Sequence, residues 1–237
     1  VKVFNYAMRR GFTAPVSLIL NCLLPVVLMI VANDYSFMMV NQYGDADAGG
    51  GFFTLMLLLM FGAFMMAGSI QADKRDGTTV RILAGPITFR SYLVQNFFAG
   101  LVPMIILSFI LGGMGLVMYS WTVEFMLAVV LCYILLSATS IGLSFVWSIW
   151  FKDKETAMVS FTFAMMLMGF MGGMLLPLGI MPAMLRNIGA VFPAHWASRG
   201  MEELLAYGIT AQYWLSMAAL VLFSAALILY GSRRRIV

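Results

Sequence analysis

Charge is what this chain has least of. Asp, Glu, Lys and Arg make up 10% of its 237 residues, where a soluble domain carries about 25%, and 62% of the residues are hydrophobic. No soluble core of this length needs so much apolar surface, so the chain reads as an integral membrane protein. The single histidine, His195, excludes a zinc protease of the HExxH type, which needs two. The two cysteines, Cys22 and Cys132, both fall inside apolar runs. They read as small buried residues and offer no disulfide framework. No GxxxxGK[ST] occurs, so this chain cannot hold ATP in a P-loop. The period-2 alternation of a transmembrane barrel is missing too, as are internal repeats and low-complexity linkers.

What is there is a series of uncharged runs, each 23 residues or longer: Gly11–Asn33, Ala48–Ala72, Ser91–Val123, Phe125–Phe151, Thr156–Leu185 and Leu204–Ser232. A span needs roughly 20 apolar residues, so the six runs predict an all-α membrane protein of six transmembrane helices. Their bounds are about 14–33, 51–71, 91–118, 125–150, 157–176 and 210–230, within one membrane domain covering 1–237. The first run is too long for a signal-peptide core and carries Pro15 and Pro25, so it is expected to remain as a span. Because the chain opens on Val1 rather than Met, its true start is expected to lie upstream.

Lys and Arg set the orientation. Six spans put both termini on one side with the loops around 73–90 and 152–155, and that side holds 12 of the 14 basic residues. Only Arg186 and Arg199 fall opposite, whereas Asp34, Asp45, Asp47, Glu124, Glu202 and Glu203 lean to that outer side. By the positive-inside rule both termini are cytoplasmic. The net charge of +4 is thus a topology signal, and nucleic acid is not an expected partner. Residues 1–13 set Lys2, Asn5 and Arg9 on one helical face and Phe4, Ala7 and Met8 on another, a pattern for a helix lying in the headgroup layer.

The longest polar break in the first half runs from Ala72 to Gln95 and holds Asp73, Lys74, Arg75, Asp76, Arg81 and Arg90. It is longer than a turn between spans requires. Asp76 can act as an N-cap, Gly77, Thr78 and Thr79 as a first turn, and Gly85-Pro86 as a stop. The prediction is a short helix over 76–84 outside the bilayer, with Thr88 capping the next element. Further along, Pro103 marks a kink, Tyr119 and Trp121 sit at an aromatic belt, and Ser137, Thr139, Ser140, Ser144 and Ser148 line the fourth span. Such hydroxyls usually bond back to their own helix or join helices.

The fifth span is rich in methionine, which suits either a wall adaptable to apolar shapes or lipid-facing filler. Gly169 and Gly173 have the GxxxG spacing that allows helices to approach closely. Beyond them Pro177, Pro182 and Pro193 interrupt a stretch too apolar for a free loop. A re-entrant helical hairpin is predicted, with helices at about 183–191 and 194–207. Arg199 can pair with Glu202 and Glu203 on the wet side of the second.

Catalysis finds little support. No charge lies in the inner two-thirds of any span, where ion-coupled carriers keep theirs. Ser198 beside His195 is a poor candidate for a hydrolytic pair. The remaining readings are a driven transporter subunit or, as the alternative, an ATP-independent channel or secondary carrier.

Two stretches resemble the ABC-2 type permeases, the membrane subunits of one class of ATP-driven exporters. The first is Asp73-Lys74-Arg75-Asp76-Gly77-Thr78 with Leu83, Pro86 and Tyr92, similar to that family's acidic, Gly-Thr, Leu, Pro, Tyr run after span two. The second is Pro177, Pro182, Leu185, Pro193 and Gly208 between spans five and six. Asp73 and Asp76 stand where the family commonly has glutamates. The resemblance implies a non-enzymatic subunit without a cofactor of its own, ATP and magnesium being held by a separate ABC ATP-binding subunit. It implies that 76–84 is a coupling helix, with Asp73, Asp76, Gly77, Thr78, Arg81 and Leu83 meeting that ATPase. A second permease protomer completes twelve spans, as a homodimer rather than a heterodimer. Cargo would pass between protomers along spans two and five, past Phe61, Phe64, Met65, Met165 and Met168. The cargo is expected to be an apolar or amphipathic drug, antibiotic peptide or lipid-linked molecule, moved out through a bacterial plasma membrane.

Overall fold

A computed structural model describes residues 3–5, 7, 23–27, 29–30, 56–63, 73, 77–84, 88–151, 153–175, 178–179 and 181–233. Every regular element among these residues is helical. We number the continuous ones α1 (Thr78–Leu83), α2 (Phe89–Met118), α3 (Val123–Trp150), α4 (Lys154–Met171), α5 (Ala183–Gly189), α6 (Pro193–Tyr207) and α7 (Ala211–Arg233). Three of them, α2, α3 and α7, are long and apolar enough to cross a membrane. The 18 residues of α4 reach about 27 Å at 1.5 Å per residue, slightly less than the hydrocarbon core. It stops at Met171, where the sequence carries the fifth span to about 176. The first two expected spans lie mostly outside the described residues, in which 24–27, 29–30 and 56–63 are helical.

Local chemistry sets the helix starts. The hydroxyl of Thr88 accepts the Ser91 N–H at 3.3 Å and begins α2. Thr122 does the same for Phe125 at 3.3 Å and begins α3, and Asp153 accepts the Thr156 N–H at 3.0 Å and begins α4. Each satisfies a donor that the first helical turn leaves without a partner. Pro103 does not end α2, which continues through it to Met118.

The bundle has two distinct ends. The helices α2 and α3 are antiparallel, since Phe97 meets Phe145 at a ring separation of 6.4 Å while Gly112 lies against Val130. The helices α3 and α7 run parallel: the Tyr213 hydroxyl donates to the Ala128 carbonyl at 2.8 Å, and Leu227 packs on Gly142. One end therefore gathers the starts of α2 and α4 and the finishes of α3 and α7, where Arg90, Lys154 and Arg233 stand. At the other end lie Glu124, α5 and α6. Among the three long helices α3 is the most enclosed and α7 the least. Four hydroxyls of α3 turn back on their own backbone: Thr139 and Ser140 donate to the Leu136 carbonyl, Ser144 to Ile141 and Ser148 to Ser144, whereas the buried Ser137 and Tyr133 hydroxyls have no partner among the described residues.

The turn from α2 to α3 is built on an aromatic stack. Trp121 lies 5.7 Å from Tyr119 in a stacked pair and 5.0 Å from Phe125 edge-on, and its ring covers Gly115. A Cβ at 115 would enter that ring. Gly115→Ala is expected to destabilise the protein by about 1–3 kcal/mol through overpacking, read as a lower Tm and a shifted Trp emission in detergent. Gly113→Ala, whose Cβ would meet nothing within 4 Å, is the matched control and should not lower Tm or shift the Trp emission, since Ala is favoured over Gly inside a helix.

Candidate functional site

Three regions hold the residues that the sequence singles out. The first is the short helix α1 at the end of the bundle where α2 begins. It starts at Thr78 rather than 76, because Gly77 has φ of +66°, a left-handed conformation that no helical residue adopts. Gly77 still contributes its carbonyl, which accepts the Arg81 N–H at 3.3 Å. Arg81 is exposed, and Ile82 is half-buried against the core, so α1 rests on the bundle by one side. Thr78 is half-buried; Leu83 belongs to the helix but its side chain, like Asp76, lies outside the described residues. Asp73 is different in kind. It is buried, and Tyr92 on α2 donates its hydroxyl to Asp73 Oδ2 at 2.8 Å.

The same turns of α2 receive the beginning of the chain. The Phe4 N–H donates to Gln95 Oε1 at 3.2 Å, and Gln95 Nε2 donates to the Ser91 hydroxyl at 3.0 Å. Residues 3–5 and 7 are helical, with Val3 and Phe4 half-buried and Asn5 exposed.

The second region is the contact between the helical stretch 56–63 and α4. Met165 is buried in the core, and Phe61 and Met168 pack partly buried against it. Phe64 and Met65 lie outside the described residues. On α4, Ala157, Phe161, Met165 and Met168 form the inward side, while Val159, Phe163, Met166 and Phe170 are exposed. The two glycines of the GxxxG spacing have separate duties. A Cβ at Gly169 would sit 2.7 Å from Leu57, so this glycine permits the close approach. Gly173, with φ of +93°, ends the helix.

That ending opens the third region. The Met174 N–H donates to the Gly169 carbonyl at 2.9 Å, a six-to-one closure with Gly173 in the left-handed position. Gly189, at the finish of α5, lies directly against the Met171 carbonyl, leaving no room for a side chain. Pro182 precedes α5 and Pro193 is the first residue of α6, so both prolines start helices rather than merely interrupting them. Pro177 lies outside the described residues.

The charges here do not pair as their spacing predicts. Glu202 Oε1 accepts the Leu178 N–H at 3.0 Å, and Glu203 Oε1 accepts the Thr210 hydroxyl at 3.0 Å. Arg199 Nε and Nη2 lie 3.0 and 3.1 Å from the Gln212 amide when its oxygen faces them. Helical spacing brings Arg199 near the glutamates, but nearby polar groups from other segments take the carboxylates first. Sequence carries no signal for a carboxylate that anchors backbone 24 residues before it. His195 and Ser198 are buried, and His195 Nδ1 and Ser198 Oγ have no hydrogen-bond partner among the described residues. They do not form a nucleophile–base pair. Burial, with Arg199 and Arg186 nearby, lowers the His195 pKa and favours its neutral ring.

A comparison with protein families matches residues 40–233 to the family described as ABC-2 family transporter protein. Comparison with curated proteins gives no significant match.

Burial raises the Glu202 pKa, with the Leu178 N–H and Arg199 opposing it. A raised pKa means that the folded state holds the proton more tightly. The associated stability is present below the ordinary carboxylate range and is lost as pH rises through the raised value. Glu202→Gln keeps an acceptor for Leu178 and removes the titration. The stability difference between wild type and this variant should therefore change across the acid range, as followed by thermal unfolding. Glu202→Ala orphans the Leu178 N–H and should cost about 1–3 kcal/mol.

Proposed function

Taking as premise that the chain belongs to the ABC-2 transporter family, we propose that it is the permease subunit of an ABC exporter. Membership implies a multi-pass membrane transport component that is not itself catalytic and that associates with an ATP-binding subunit. Our reading goes further on direction, cargo and mechanism. The chain extrudes an apolar or amphipathic molecule, such as a drug, an antibiotic peptide or a lipid-linked compound, through a bacterial plasma membrane. Both termini and α1 face the cytoplasm. ATP and magnesium are held by the partner subunit, and two copies of this chain form the pathway.

One observation carries the reading: a six-residue helix stands at the basic end of the bundle, with Arg81 exposed and Ile82 set against the core. Such a helix can seat in a groove of a second protein without exposing the bundle's interior. Gly77, Thr78, Arg81 and Leu83 would make the contact, with Asp76 beside them. Closure of two ATP-binding subunits would displace α1, and the displacement would pass to α2. Nucleotide can shift the transporter between states only through contacts that differ between them, so α1 must be firmly seated. Phe61, Met165 and Met168 share one packed core. With Phe64 and Met65, they would meet cargo when the 56–63 stretch and α4 part.

The test is co-expression with the ATP-binding subunit encoded beside this chain. The two should co-purify and hydrolyse ATP. Arg81→Glu reverses the exposed charge of α1, and Gly77→Pro cannot adopt its positive φ. Each should cut hydrolysis by the assembled complex about tenfold, the factor set by about 1.4 kcal/mol of lost coupling, while membrane insertion stays unchanged. Unaltered association and hydrolysis in both variants would sink the docking assignment. A wild-type chain that never binds the subunit would favour an ATP-independent channel or carrier.

A further inference from the structure

The bond from the Tyr92 hydroxyl to Asp73 Oδ2, 2.8 Å long and 19 residues apart in sequence, closes a loop whose outer part is α1. Tyr92 is fully buried and Asp73 is 6% exposed, so water does not compete for either group. A hydroxyl bonded to a carboxylate away from water is among the stronger hydrogen bonds. The bond lies at the root of the loop, where it joins the bundle. Beyond it, Ile82 is the described side chain of α1 that rests on the core. The turn of α2 that holds Tyr92 is itself braced: Asn96 Nδ2 donates to the Tyr92 carbonyl at 2.9 Å, and Gln95 accepts from Phe4.

A six-residue helix cannot move a thirty-residue helix if the chain between them bends instead. With the root closed, displacement of α1 is delivered to the first turns of α2. With that bond broken, one tie between the segment and α2 is lost. We propose that Asp73 and Tyr92 form a clamp that closes the root of the α1 loop, acting as positioning residues that make α2 follow α1. Asp73 then works inside the permease and not on the surface of the ATPase. The inference rests on the proposed function, in which α1 is the element pushed.

The test uses complexes of the full chain with its ATP-binding subunit. A bimane label on Val117→Cys, an exposed position at the far end of α2, reports movement of that helix. The measured quantity is the emission change on adding ATP and vanadate, divided by the nucleotide trapped. A variant that only lowers the amount of folded complex reduces both numbers together and leaves the ratio unchanged. Tyr92→Phe and Asp73→Ala should lower the ratio about fivefold, the equilibrium factor of one net hydrogen bond, while association and trapping persist. Asp73→Asn keeps a carbonyl for the same hydroxyl and should recover most of the ratio. Tyr92→Phe removes only the hydroxyl that Asp73 accepts, so adding it to Asp73→Ala should lower the ratio no further than Asp73→Ala does alone. A wild-type ratio in Tyr92→Phe, or a double variant clearly worse than Asp73→Ala alone, would overturn the clamp. So would dissociation of the subunit from Tyr92→Phe, which would make the bond an assembly contact. Failure of the wild-type chain to bind the subunit would overturn the proposed function, and the clamp with it.

Discussion

In hydrocarbon no water is available to a peptide group, so each N–H and C=O must be satisfied by the protein itself. Long helices do this along their length, which is why α2, α3 and α7 run unbroken for 30, 28 and 23 residues. The demand is harder to meet where a helix stops. At the finish of α4 the freed carbonyl of Gly169 receives the Met174 and Leu175 N–H groups. Past that turn, the carboxylate of Glu202 accepts the Leu178 N–H from another helix. Thr139, Ser140, Ser144 and Ser148 of α3 likewise return to their own backbone. Of the two helices that follow α4, α6 packs against α3 and α7, while α5 is largely exposed and rests on α4.

The same constraint gives the bundle its two ends. Apolar helices leave charges only at their termini, and the parallel course of α3 and α7 brings the basic termini together. Arg90, Lys154 and Arg233 stand at one end with α1, while Glu124, Arg186, Arg199, Glu202 and Glu203 stand at the other. The first turns of α2 meet both Asp73 and the chain's first described residues, the concentration of polar links on which the mechanism we propose relies.

Much of this was legible in the residues. Helix starts at Thr88 and the back-bonding hydroxyls of α3 follow from local preferences that operate over three or four residues. The short helix before α2 was legible too, although its first turn was not: the glycine before Thr78 uses a positive φ, and composition alone does not tell a left-handed turn residue from a helical one. The glycines at 169 and 173 show a similar limit, since equal spacing hid a contact with Leu57 in one and a helix terminus in the other. Arg199 acts on Glu202 through its charge, as the spacing suggests, but the hydrogen bonds of Glu202 to Leu178 and Glu203 to Thr210 were not legible, because helical neighbours are visible in sequence and donors from other segments are not. The buried positions of His195 and Ser198 were equally invisible, as burial depends on what packs over them.

By itself the sequence determined the helical class, the membrane as solvent and the charge-marked ends, because each depends on composition summed over 20 or so residues. Only the tertiary structure decided which groups meet: Tyr92 with Asp73, Glu202 with Leu178, Trp121 over Gly115. The reason is geometric. Apolar content fixes where a helix can lie, but in a medium as apolar as its own side chains it does not choose a neighbour. Close packing and the few polar bonds that cross between elements make that choice.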